Sequence, residues 1–174
     1  ETFPELAGRY DTRWSSVRPQ LLIHDLAVQM CVLEVMAKHA VSRYIPEHVA
    51  GRADGSGDKR FDCQIWLDEA HLPTGIEFER TSKRPGVELD RTLHAAAQAV
   101  ERNEVAGILF FFSNRRVADD YKKALADPLR LWERDQNAGK WVATGERWQV
   151  PERIQQRFNI QVMEGRHCFG NLTI

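Results

Sequence analysis

The chain has 174 residues, 43 % hydrophobic and 28 % charged, which suits one globular domain and excludes a disordered chain. A formal net charge of −1 excludes a general electrostatic pull on nucleic acid, so any such contact must come from local basic clusters. Cys31, Cys63 and Cys168 are odd in number and far apart, which argues for reduced thiols in a cytoplasmic protein rather than a disulfide framework or a zinc site.

Residues 1–20 carry Pro4, Gly8 and Pro19 without sustained periodicity and read as an irregular lead-in. The chain opens on Glu1 rather than Met, so a preceding segment is expected. From Leu21 to about Ala40 apolar residues dominate without Gly or Pro, predicting a largely buried helix with Asp25 near its start. No apolar run reaches the roughly 18 residues of a membrane span.

Gly51 to Lys59 is polar and glycine-rich and reads as a loop or hairpin tip. Arg60 to Leu67 alternates, with Phe61, Cys63, Ile65 and Leu67 on one face and Asp62, Gln64 and Trp66 on the other. Gly75 to Lys83 alternates again, with Ile76 and Phe78 opposite Glu77, Glu79, Thr81 and Lys83. A short turn joins the two runs into a predicted β-hairpin.

Glu88 to Asn103 has helical periodicity, with Leu89, Leu93, Ala96 and Val100 inward and Arg91, His94 and Gln98 on a second stripe. GILFFF at 107–112 reads as a strand buried on both faces, and a charged helix follows from about Arg116 to Ala126. Beyond it, Trp132, Trp141 and Trp148 give no clear pattern, and Asn159 to Met163 suits a last strand. The expected architecture is a single α/β domain over 1–174, a central mixed sheet flanked by helices.

The chemistry concentrates in three acids. Glu77 and Glu79 share a strand face roughly 7 Å apart, and Asp62 is expected on the same face of the partner strand, across from or near Glu79. Carboxylates packed this way repel one another, and a divalent cation such as Mg²⁺ or Mn²⁺ relieves the repulsion with hard oxygen ligands. Acids on a lone hairpin are better explained by a solvated polar face. The elements around them favour a metal site of Asp62, Glu77 and Glu79.

An Asp on one strand and E-x-E on the next, between a preceding helix and a following helix and buried strand, resembles the PD-(D/E)XK nuclease superfamily. Its usual E-x-K departs here, since Glu79 stands at the lysine position and Lys83 lies further along. More narrowly, HDLAVQMCVLEVM at 24–36 and IEFERTSK at 76–83 look like the replication-relaxation proteins, the MOBC-type plasmid relaxases. The resemblance covers about residues 20–125, with 126–174 as an extension, and matches His24, Asp25, Asp62, Glu77, Glu79 and Lys83.

It implies a restriction-endonuclease-like fold, a winged-helix DNA-binding domain upstream, and a Mg²⁺- or Mn²⁺-dependent nick at an origin of transfer. DNA, and other conjugation proteins, are the implied partners. Another nuclease of the superfamily, serving repair or restriction, and a non-catalytic DNA-binding module remain open. The other relaxase class needs a His-hydrophobe-His motif with a nucleophilic tyrosine. The sequence has no H-x-H, and Tyr10, Tyr44 and Tyr121 have no such companion.

In the implied mechanism the acids hold the metal and Lys83 orients water or offsets phosphate charge. Lys83 is equally well a solvent-exposed lysine at a strand end. His24 and Asp25 either anchor the first helix beside the site or are a partly buried histidine and a helix-start charge. Glu34 is a further candidate from the same helix, although an i, i+4 pair with Lys38 accounts for it. Gln98 faces either substrate or solvent. Arg80, Arg84 and Arg91 bracket the acids and are the expected phosphate contacts.

Overall fold

The computed structural model describes residues 19–47, 61–68, 70–81, 83 and 86–163. The expected loop at 51–59 and nearly all of the lead-in lie outside them. A helix, α1 (Pro19–Met36), is followed by three strands, β1 (Val41–Pro46), β2 (Cys63–Leu67) and β3 (Thr74–Glu79). Then come α2 (Val87–Glu101), β4 (Gly107–Phe112), α3 (Arg115–Ala126), β5 (Leu129–Arg134), β6 (Trp141–Trp148), α4 (Glu152–Gln155) and β7 (Phe158–Val162). No described helix is long and apolar enough to cross a membrane.

The main sheet has the order β1-β2-β3-β4-β7. β1, β2 and β3 form an antiparallel meander, whereas β3, β4 and β7 run parallel. A parallel pair needs a crossover, and α2 supplies it between β3 and β4. The expected mixed α/β sandwich is present. β1 is an addition to it: mostly exposed, ending on Pro46 at the sheet edge, it carries no apolar alternation that would mark a strand.

Two apolar layers enclose the sheet. Ala27, Val28, Cys31, Val32 and Val35 of α1 cover Cys63, Ile65, Ile76, Phe78 and Phe111 on one face. On the other, Leu89, Leu93, Ala96 and Val100 of α2, with Val117, Tyr121 and Leu125 of α3, cover Ile108, Phe110 and Phe112. The inward stripe expected on α2 is thus buried, as is β4 on both faces. Asn114 caps α3, its side chain accepting from the Val117 amide at 3.1 Å.

The expected hairpin forms between β2 and β3, but shorter than its pattern. β3 stops at Glu79, so Thr81 and Lys83 lie beyond the strand. β2 starts at Cys63, because the chain bends at Asp62 and reverses the alternation. Phe61 belongs to the α2–α3 layer while Cys63 belongs to the α1 layer. Gly75 opposite makes room for this: a Cβ there would stand 2.5 Å from the Phe61 ring.

β5 and β6 pair as a separate antiparallel hairpin and explain the tryptophans that the sequence left unassigned. Trp132 Nε1 donates to Asp90 Oδ2 at 3.3 Å, Trp141 lies under Arg91, and Trp148 meets His94 edge-on at 5.1 Å. The second stripe of α2 is a docking surface for this hairpin.

Gly107, at the start of β4, sets the spacing to β7. A Cβ there would stand 2.7 Å from the Arg157 carbonyl oxygen, which also accepts from the Ile108 amide at 2.9 Å. Because the obstruction is backbone, Gly107→Ala is expected to destabilise the chain by about 1–3 kcal/mol. Urea unfolding measures this, and an unchanged midpoint would contradict the register described.

Candidate active site

Register decides which way the acids face. Residues aligned across a parallel pair share a face, and Glu77 and Glu79 align with Phe110 and Phe112. Both acids therefore point into the aromatic α2–α3 layer, at 4 % and 8 % exposure. The sequence pattern placed them on a polar face. The sheet instead covers β3 on both sides, because β3 is central rather than part of a free hairpin.

Glu79 is held there by donors from two directions. The Tyr121 hydroxyl donates to Glu79 Oε1 at 2.7 Å, and Lys83 Nζ pairs with the same oxygen. Lys83 also reaches Thr92 Oγ1 of α2 at 3.2 Å. A buried carboxylate needs such partners, since desolvation of an ionised group otherwise costs several kcal/mol. Burial, then the charge of and hydrogen bond to Glu79, push the Tyr121 phenol well above its ordinary value; Glu77 and Asp62 add to the shift. All three acids thus act electrostatically on one hydroxyl.

Asp62 faces the other way. The bend turns its carboxylate towards α1, where Oδ1 lies 3.1 Å from His24 Nε2. Oδ2 accepts from the Phe78 amide at 2.7 Å, replacing a main-chain acceptor at the end of the β2–β3 ladder. That ladder pairs Cys63 with Ile76, so its continuation sets Asp62 opposite Glu77 rather than Glu79. The shared face expected for the three acids is not observed. Among the described residues, no group of three or more His, Cys, Asp or Glu is placed to hold a metal ion.

Two clefts meet at His24. One of about 380 Å³ is lined by His24, Asp25, Gln29, Tyr44, Glu47 and Asp62. The other, about 230 Å³, runs past His24 to Phe78, Glu79, Arg80 and Thr81. His24 thus bridges the Asp62 side and the Glu79 end of the site. The His24 ring also lies 6.0 Å from the Phe78 ring.

The remaining expected residues divide clearly. Asp25 lies in the first cleft, well inside α1, and Arg80 lies in the second with its side chain exposed. Glu34 pairs with Lys38 at 2.6 Å, away from both clefts. Arg91 stacks over Trp141 at 3.3 Å from the ring centre, and burial, then Arg134, lower its pKa. Gln98 lies half-buried on α2, outside both clefts. Arg84 falls outside the described residues. Tyr121 and Thr92 are the site residues that the sequence reading missed; the helical spacing of Val117, Tyr121 and Leu125 marks a core stripe but not the hydroxyl's partner.

The His24–Asp62 contact makes a pH prediction. The hydrogen bond to Asp62 raises the His24 pKa from the ordinary 6.5, burial opposes it, and the charges of Asp62, Asp25 and Glu47 add to the rise. A raised folded-state pKa means stabilisation that is full below 6.5 and is lost as pH rises through the folded value. NMR titration is expected to find His24 above 6.5 in the wild type and shifted down in Asp62→Asn. Equal values in both proteins would exclude the contact.

Tyr121→Phe removes one donor from the buried Glu79 carboxylate without changing the ring. Destabilisation of about 1–3 kcal/mol is expected in urea unfolding. A neutral result would mean that Lys83 alone satisfies Glu79.

Compared with protein-family models, with curated proteins and with solved structures, the chain matches none.

Proposed function

We propose that this chain is the nuclease domain of a DNA-nicking enzyme with a restriction-endonuclease-like core, acting as a relaxase on plasmid or conjugative-element DNA. The observation that carries the reading is topological. A helix, a three-strand meander, a crossover helix and a parallel strand follow in order, with Asp62 just before the second strand and Glu77 and Glu79 on the third. The resemblance of residues 24–36 and 76–83 to replication-relaxation proteins supports the same reading. The clefts at His24 lie beside Asp62, just before β2, and Glu79, at the end of β3.

Mg²⁺ or Mn²⁺ is the cofactor that the resemblance implies. In the arrangement described the acids do not fit it: Asp62 is turned to His24, and Glu79 is engaged by Tyr121 and Lys83. The chemistry open to the chain's own residues is narrower. Arg80, exposed in the second cleft, brings positive charge to its Glu79 end, where a phosphate would be held. His24, whose pKa the hydrogen bond to Asp62 raises, would in its protonated form donate a proton to the departing oxygen.

A non-catalytic DNA-binding module of the same fold is the second reading. The specific observation in its favour is that no three His, Cys, Asp or Glu among the described residues are placed to hold a metal ion.

Supercoiled plasmid incubated with the protein and Mn²⁺ separates these readings. The expected result is conversion to open circles, slowed on the order of 100-fold in His24→Gln. Linear product from the outset would point instead to a double-strand nuclease of the repair or restriction kind. DNA that is bound but stays supercoiled would overturn the proposal and leave the non-catalytic module.

A further inference from the structure

α1 carries more apolar surface than the sheet uses. Ala27, Val28, Cys31, Val32 and Val35 face the sheet. On the opposite side Leu22, Leu26, Leu33 and Met36 are between 39 % and 56 % exposed. Scattered exposed leucines need no account, but these are not scattered. With Gln29, itself exposed, they fall at 22, 26, 29, 33 and 36, the alternating four-and-three spacing of a coiled-coil seam over two heptads.

The seam is nearly symmetric about its centre. Turned end for end around Gln29, it sets Leu22 against Met36, Leu26 against Leu33, and Gln29 against itself. A self-complementary stripe of this kind is what a two-fold interface requires, where the same patch serves both partners. Gln29 suits the axis: its amide both donates and accepts, so two copies satisfy each other, as a polar residue does at the centre of a coiled-coil seam. Antiparallel pairing also opposes the two helix dipoles.

We propose that α1 is a dimerisation helix and that its exposed stripe is covered by α1 of a second copy of this chain, paired antiparallel with Gln29 on the two-fold axis. The pairing does not depend on the nuclease reading. It has a geometric consequence for the site, because Gln29 also lines the cleft that holds His24, Asp25 and Asp62. The two clefts of the dimer open beside the axis.

Sedimentation equilibrium of the full chain tests this. The expected species has twice the 20.0 kDa mass of the chain. Leu26→Glu with Leu33→Glu sets like charges in the seam and is expected to raise the dissociation constant by about 100-fold or more. Gln29→Lys, a milder change at an exposed position, is expected to weaken pairing in the same direction, and Gln29→Leu to strengthen it. Far-UV circular dichroism confirms that each variant is folded. A wild-type monomer at every concentration, or a dimer indifferent to both the double and the Gln29→Lys variants, would overturn the proposal.

Discussion

The burial of β3 on both faces is the constraint from which the rest of the site follows. A central strand flanked by β2 and β4 has no solvated side, yet this one carries Glu77 and Glu79. Carboxyl groups in such a place need partners, and for Glu79 the fold supplies them from outside the strand. Tyr121 descends from α3 and Lys83 folds back from beyond the strand end, both onto one oxygen of Glu79. Through Thr92 the lysine also ties this carboxylate to α2. The crossover helix, the third helix and the strand are thus linked by a polar contact inside a largely apolar layer.

The bend at Asp62 is the second determinant. Had β2 continued its alternation, Phe61 would lie under α1 and Asp62 beside Glu77. Instead Phe61 fills the space left above Gly75, and the Asp62 carboxylate stitches the end of β3 to His24 of α1. One reversal of the pleat therefore turns a row of three acids into two stations on opposite sides of the sheet. His24 stands where the clefts from both stations meet.

Much of this architecture was legible in the sequence, and the limits are instructive. The stripe Leu89, Leu93, Ala96 and Val100 and the run GILFFF foretold α2 and β4, because strong periodicity and continuous apolarity are decided locally. The hairpin of β2 and β3 was readable too. Its burial was not: whether a polar strand face meets solvent depends on α2 and α3 packing across it, a long-range fact. The Asp62 bend was equally hidden, since alternation by residue type assumes an unbroken pleat and Phe61 fits either face. Arg91 and His94 read as available side chains until the β5–β6 hairpin, with its weak local signal, was laid over them. Glu34 was correctly accounted for by its neighbour Lys38, a purely local pair.

That Asp62 is held by His24 and Glu79 by Tyr121 and Lys83, on opposite sides of the sheet rather than around one cation, is tested most directly by titration calorimetry with Mn²⁺ on the wild type and Glu77→Gln. No heat of cation binding that depends on Glu77 is expected. A heat present in the wild type and absent in the folded variant would contradict the arrangement.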